Sequence, residues 1–175
     1  MAEERRPKPV TPAYLERAAV AYLERYGSTS ANLRRVLVRK ATRRAGTPPE
    51  AEILAAIDET VAKAVRSSLV DDRAYAESKL NSLLRRGASA RAASAKLAAK
   101  GLDRETVAAA MREAEPDEFA QARRHAERKR LGPWRNVPDP TLRRKDLASL
   151  ARAGFSRRAA AAALNSADDD EQDQQ

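Results

Sequence analysis

Residues 71–103 read DDRAYAESKLNSLLRRGASARAASAKLAAKGLD, and how they divide decides the fold. Asp71 is an N-cap residue, its carboxylate suited to the free N–H groups of a helix's first turn. Behind it Tyr75, Ala76, Leu80, Leu83 and Leu84 recur at the spacing of one helical face. Gly87 breaks that helix. Ser89 opens a second, from Ala90 to Lys100, stopped by Gly101. Asp103 caps a third, with Val107 and Met111 on its apolar side. The unit is therefore helix, glycine turn, basic helix, turn, helix.

Working outward, the same unit recurs. A shift of 60 places Leu23 on Leu83, Arg25 on Arg85, Gly27 on Gly87, Thr29 on Ser89 and Leu37 on Leu97. A further shift of 53 places Leu97 on Leu150, Lys100 on Ala153, Gly101 on Gly154 and Leu102 on Phe155. Towards the N-terminus, Thr11-Pro12 starts a helix whose stripe is Leu15, Ala18, Ala19, Tyr22, Leu23 and Tyr26. A second helix covers about Ser30 to Ala45. Thr47 and Glu50 read as a capping box opening a third through Ile53, Ile57, Val61, Ala64 and Val65 towards Leu69. Towards the C-terminus, one helix runs from Pro116 to about Arg130, with Phe119, Ala122 and Ala126 inward. After the Gly132–Pro140 loop an eighth helix ends at Ala153, and Ser156 caps a ninth through Leu164. No alternating β-branched run predicts a strand.

The expected fold class is all-α: three tandem three-helix repeats forming an elongated, curved array. The repeats are residues 12–70, 71–115 and 116–166. A flexible N-terminal segment, 1–11, and an acidic disordered tail, 167–175, flank them. A single unit of about 50 residues would be marginal alone, so neighbours must share cores.

Composition supports this reading. Of the 175 residues 38 are Ala, and Ala, Glu, Lys, Leu and Arg together make 102, the balance of a helical protein. An interior rich in alanine lets helices approach closely but contributes little transfer free energy per residue. Cys is absent, which excludes disulfides, thiolate nucleophiles and Cys-ligated zinc, and fits a cytoplasmic location. Apolar runs such as Ala159 to Leu164 fall far short of the ~20 residues that span a bilayer. The Met1–Pro9 stretch is charged and lacks an apolar segment, so no secretory signal is expected from it. Net charge is +9, and it rises to +14 once the five acids of the last eight residues are set aside. The folded body is basic.

No catalytic constellation stands out. His125, the one histidine, lies among Arg123, Arg124, Arg128 and Lys129 and reads as an exposed helical residue. Asp71 and Asp72 would point about 100° apart on a helix, so capping explains them better than metal binding or acid–base work. Phosphate-binding loops, dinucleotide fingerprints and nucleophile elbows are missing. The expectation is a non-enzyme with no cofactor and no metal. Arg85, Arg86, Arg91, Lys96 and Lys100 form a basic turn and helix, Lys96 and Lys100 sharing one face. Cations also suit helix C-termini, which accounts for Arg85 and Arg86 without a ligand; the alternative is a face shaped for a polyanion or an acidic partner. Tyr14, Tyr22, Tyr26 and Tyr75 fall mostly on apolar stripes, which disfavours base stacking. Trp134, in its proline-flanked loop, reads as a packing anchor.

Val70-Asp71-Asp72-Arg73-Ala74-Tyr75-Ala76-Glu77, then Arg85-Arg86-Gly87 and Lys96-Leu97-Ala98-Ala99-Lys100-Gly101-Leu102, closely resembles the central motif of the RecX family. Ala21-Tyr22-Leu23 with Ser28 to Leu33, and Leu150 to Phe155, are similar to the flanking units, so the likeness spans roughly residues 13–165. The resemblance implies a regulator without catalytic residues, built of three-helix repeats. It would lie in the groove of the RecA filament on single-stranded DNA, blocking extension and damping ATP hydrolysis, recombination and the SOS response. By position, Asp71, Asp72, Tyr75, Gly87 and Gly101 match the family signature and are assigned to structure, Asp71, Asp72 and Tyr75 shaping the helix 3–4 junction. Arg85, Arg86, Arg91, Lys96 and Lys100 are the expected contacts. The partners implied are the RecA filament and, through the basic face, DNA itself; no membrane is involved, and the chain is expected to be a monomer. The competing expectation is a sequence-independent DNA-binding helical protein that acts without RecA.

Overall fold

A computed structural model describes residues 7–137 and 139–165. The acidic tail lies outside the described residues, as do residues 1–6 of the N-terminal segment. Among the described residues there are nine α-helices and no strand: α1 (Pro12–Leu23), α2 (Ser30–Ala45), α3 (Ala51–Arg66), α4 (Asp72–Arg85), α5 (Ala90–Ala99), α6 (Arg104–Ala114), α7 (Glu118–Lys129), α8 (Arg143–Ala153) and α9 (Arg157–Asn165). Two 3₁₀ turns, Gly132–Trp134 and Pro140–Leu142, fill the α7–α8 connection. No helix among these residues is long and apolar enough to cross a membrane.

Local chemistry places most helix starts. The Thr11 hydroxyl accepts from the Tyr14 N–H at 3.2 Å, Asp71 from Ala74 at 2.9 Å, Asp103 from Thr106 at 2.8 Å and Ser156 from Ala159 at 3.2 Å. Each satisfies a donor the helix cannot satisfy itself. One expected start is wrong. Thr47 does not cap α3; Glu50 occupies the N-cap with no side-chain hydrogen bond. A capping box at Thr47 would need Pro48 to be helical directly before Pro49, and proline pushes its predecessor out of the α region. The helix therefore begins after both prolines.

The chain divides into two compact units. One runs up to Tyr75 and takes in Lys100–Leu102; the other comprises Ala76–Ala99 and the chain from Asp103 on. In the first unit Leu15, Leu33, Leu37 and Ile57 are fully buried, with Ala18, Ala19, Ala41 and Ala64 between them. The N-terminal approach is tied to this core: the Lys8 N–H donates to the Arg44 carbonyl at 2.9 Å, and Arg44 lies 4.2 Å over the Tyr14 ring. Tyr26 departs from the apolar stripe expected for α1. The helix stops at Leu23, and Tyr26 is 57 % exposed, its ring tilted against that of Tyr22 at 5.2 Å between centroids and its N–H donating to the Tyr22 carbonyl at 3.0 Å.

The sequence repeat reappears as a repeated hydrogen bond. In the first unit the Thr29 hydroxyl, while capping α2, donates to the Lys100 carbonyl at 2.7 Å. In the second, the Ser89 hydroxyl caps α5 and donates to the Ala153 carbonyl at 2.7 Å. Thr29 with Ser89, and Lys100 with Ala153, are the pairs the two sequence shifts superpose. Each accepting carbonyl is followed by a glycine. Gly101 has φ +87°, and a Cβ added there would lie 2.4 Å from the Ala31 Cβ. We expect Gly101→Ala to lose about 2 kcal/mol or more, from the left-handed backbone and the overlap together; thermal unfolding followed by circular dichroism measures it, and an unchanged midpoint would contradict the close approach.

The last helix triplet, within the second unit, has an alanine-rich core. Ala122, Ala126, Ala159, Ala160 and Ala163 are buried with Leu150, Phe155 and Leu164. Trp134 packs against this cluster, with Arg123 5.4 Å from its ring centroid.

Candidate partner-binding surface

Asp71 and Asp72 do different work. Asp71 caps its own helix, whereas the Asp72 carboxylate accepts from the Ser30 N–H at 2.8 Å and the Ser30 hydroxyl at 2.6 Å. It thus holds the N-terminus of α2, where a negative charge also meets the positive end of the helix dipole. Tyr75, on the same unit, is half-buried beside Tyr22, and burial pushes its phenol above the usual 10.0, with Tyr22 adding to the rise. Tyr22 in turn accepts from the Asn32 amide at 3.0 Å. None of these side chains converges with another on an open site where chemistry could occur.

Arg85, Arg86, Arg91, Lys96 and Lys100 are all exposed. Three cations elsewhere are paired: Arg34 with Asp58 at 2.6 Å, Lys63 with Glu16 at 2.7 Å, Arg66 with Glu59 at 2.6 Å. Among the described residues none of the five has such a partner. Arg85, Arg86, Arg91 and Lys96 belong to the second unit. Lys100 belongs to the first, and α5 stops one residue before it, so Lys100 lies in the turn rather than on the helical face shared with Lys96.

The Gly87 turn sits directly on α7. With φ +72°, a Cβ on Gly87 would be 2.8 Å from the His125 backbone nitrogen and 3.0 Å from the Arg124 Cβ. Arg124, exposed on α7, is therefore brought beside the turn that carries Arg85 and Arg86. On α5, Arg91 runs along the α8–α9 turn, its Nε 3.0 Å from where a Gly154 Cβ would be. Sequence reasoning missed Arg124, because nothing in the 123–129 charge run says which of its members faces a glycine turn 37 residues away. What the arrangement offers is an open group of unneutralised cations, chiefly guanidinium, which favours oxyanions in bidentate geometry.

Residues 71–111 match the family description "RecX, second three-helix domain". A protein of Myxococcus xanthus named "Regulatory protein RecX" is 44 % identical over 158 residues, covering 87 % of this chain and 84 % of its own. This chain belongs to the RecX family. A second RecX regulatory protein, from Agrobacterium fabrum, is 32 % identical over 145 residues, covering 82 % of this chain and 78 % of its own. The fold is likewise similar to the crystal structure of RecX from Lactobacillus salivarius, with TM-score 0.66 at 18 % identity over 90 % of this chain and 96 % of that one. The all-helical fold, the three-helix repeats and membership of a regulatory rather than an enzyme family thus agree with the sequence reading.

Proposed function

We propose that this protein regulates the RecA recombinase by lodging in the groove of its filament on single-stranded DNA, as a cytoplasmic monomer without chemistry of its own. Bound there it limits filament extension, ATP hydrolysis and strand exchange, and with them the SOS response. The observation that carries this reading is the 44 % identity to a RecX regulatory protein over most of both chains. The physical support is the unpaired group Arg85, Arg86, Arg91 and Lys96 with Arg124 beside it, cations available to phosphate oxygens or acidic side chains.

The test is the ATPase of RecA on single-stranded DNA. Substoichiometric protein is expected to lower the rate, since one molecule lodged in a groove affects many protomers. An unchanged rate at excess protein overturns the proposal. A second reading, direct DNA binding without RecA, is favoured only by the same free cations. A fluorescence titration of labelled single-stranded DNA at two salt concentrations separates them: direct binding through phosphates weakens steeply as salt rises.

A further inference from the structure

His125 is not the exposed helical residue its charged neighbours suggest. It is half-buried on α7, with Nδ1 3.2 Å from the Gly87 carbonyl oxygen and its ring 5.4 Å from that of Phe155 in an edge-on pair. A carbonyl only accepts, so Nδ1 carries the hydrogen and the imidazole donates to Gly87. Beneath this bond the Gly87 turn has no spare room, being within 2.8 Å of the His125 backbone nitrogen at its absent Cβ. The imidazole thus clasps the α4–α5 turn while Phe155, in the α8–α9 turn, packs edge-on against the ring. Arg85 and Arg86 precede the held carbonyl directly.

We infer that His125 is a positioning residue: it touches no partner itself but seats the Arg85–Arg86 turn on α7, so that these arginines and Arg124 present one cationic surface, and only the neutral ring holds the seat firmly. The inference rests on the reading of Arg85 and Arg86 as contacts. The surroundings explain the dependence on charge. The α4–α5 turn offers the ring a carbonyl, and the α8–α9 turn offers the Phe155 ring. The charges that bear on it are Arg128 and Lys129 of its own helix, both positive. A protonated ring keeps its bond to Gly87, yet places a partly desolvated charge beside two cations, while the Glu118 carboxylate of the same helix is engaged by the Ser156 N–H and hydroxyl. Burial, more than those cations, holds the imidazole below its usual 6.5, against the bond to Gly87. For a base lowered in this way, stability is complete above the unfolded value and declines as pH falls through it towards the folded one.

Limited trypsinolysis reads the seat directly, because trypsin cuts after arginine. The measured quantity is cleavage after Arg85 and Arg86 relative to cleavage after Arg25, an exposed residue of the other unit that corrects for the enzyme's own pH profile. His125→Ala should raise this ratio about tenfold at pH 7.5. In the unchanged protein it should rise several-fold between pH 7.5 and 5.5. His125→Gln retains an N–H donor and cannot titrate, so it should keep the low ratio and lose the pH response. If His125→Ala fails to fold, the pH response of the unchanged protein against His125→Gln still decides. A ratio indifferent to both substitution and pH overturns the positioning role. RecA ATPase inhibition is read on the same samples at pH 7.5, where His125→Ala should weaken it and His125→Gln should not. A raised ratio with undiminished inhibition overturns the proposal through the contact reading instead, since a loosened turn would then not matter to the partner.

Discussion

Asp146→Ala is expected to lower the folding free energy by about 3–5 kcal/mol, the usual cost of removing one partner from a buried ion pair. Asp146 is only 3 % exposed, in the first half of α8. One carboxylate oxygen accepts from the Gly132 N–H at 2.8 Å, and the other accepts from the Arg135 guanidinium. The single side chain therefore anchors both ends of the Gly132–Trp134 turn that lays Trp134 on the last helix triplet. Alanine would strand a half-buried guanidinium and a backbone donor together. The surrounding core, built largely of alanine, has few large side chains to offset that loss. Urea unfolding monitored by circular dichroism measures the effect, and a loss below 1 kcal/mol would show that water replaces the carboxylate freely. Arg135→Met combined with Asp146→Ala should cost less than the two separate changes added, because the stranded charge is gone.

Asp146 also shows where sequence reading stops. Most helix ends are legible because the deciding chemistry lies within four residues: Thr11, Asp71, Asp103 and Ser156 cap as their positions predict, and the glycines at 87, 101 and 154 close or follow helices. Repeat periodicity was legible too, since Thr29 and Ser89 make the same hydrogen bond in different units. Contacts between distant residues were not. Asp72 reaches Ser30 across 42 positions, and His125 reaches Gly87 across 38. No spacing rule connects such pairs; only the packed turns bring them within bonding distance. For the same reason the cations at 85, 86, 91, 96 and 100 could be picked out as a basic turn and helix, while Arg124 could not be added to them. Thr47 differs for a local reason: its capping motif contains two prolines, and the second keeps the first out of the helical region.

Reversing three of those cations should have the largest effect on function. The variant R85E/R86E/K96E is expected to need about a hundredfold more protein to inhibit the RecA ATPase. An exposed ion pair contributes roughly 0.2–1 kcal/mol and the like-charge pair that replaces it costs a similar amount, so three reversals reach about 3 kcal/mol, which is that factor. Arg91 and Lys100 are left intact because each has a structural neighbour: Arg91 runs along Gly154, and the Lys100 carbonyl accepts from Thr29. Arg85 and Lys96 lie in the last turns of α4 and α5, where an acid opposes the helix dipole by about 0.3–1 kcal/mol each. That cost is small against the binding loss, so helicity should survive, and a melting curve checks it. The neutral variant R85Q/R86Q/K96Q separates the two parts of the effect, removing attraction without adding repulsion, and should fall roughly midway on a logarithmic scale. If direct single-strand binding is also present, the three reversals should flatten its log–log salt dependence by about 2, near 0.7 for each phosphate no longer neutralised. Inhibition that survives reversal, in a protein still fully helical, would move the binding surface off the α4–α5 turn altogether.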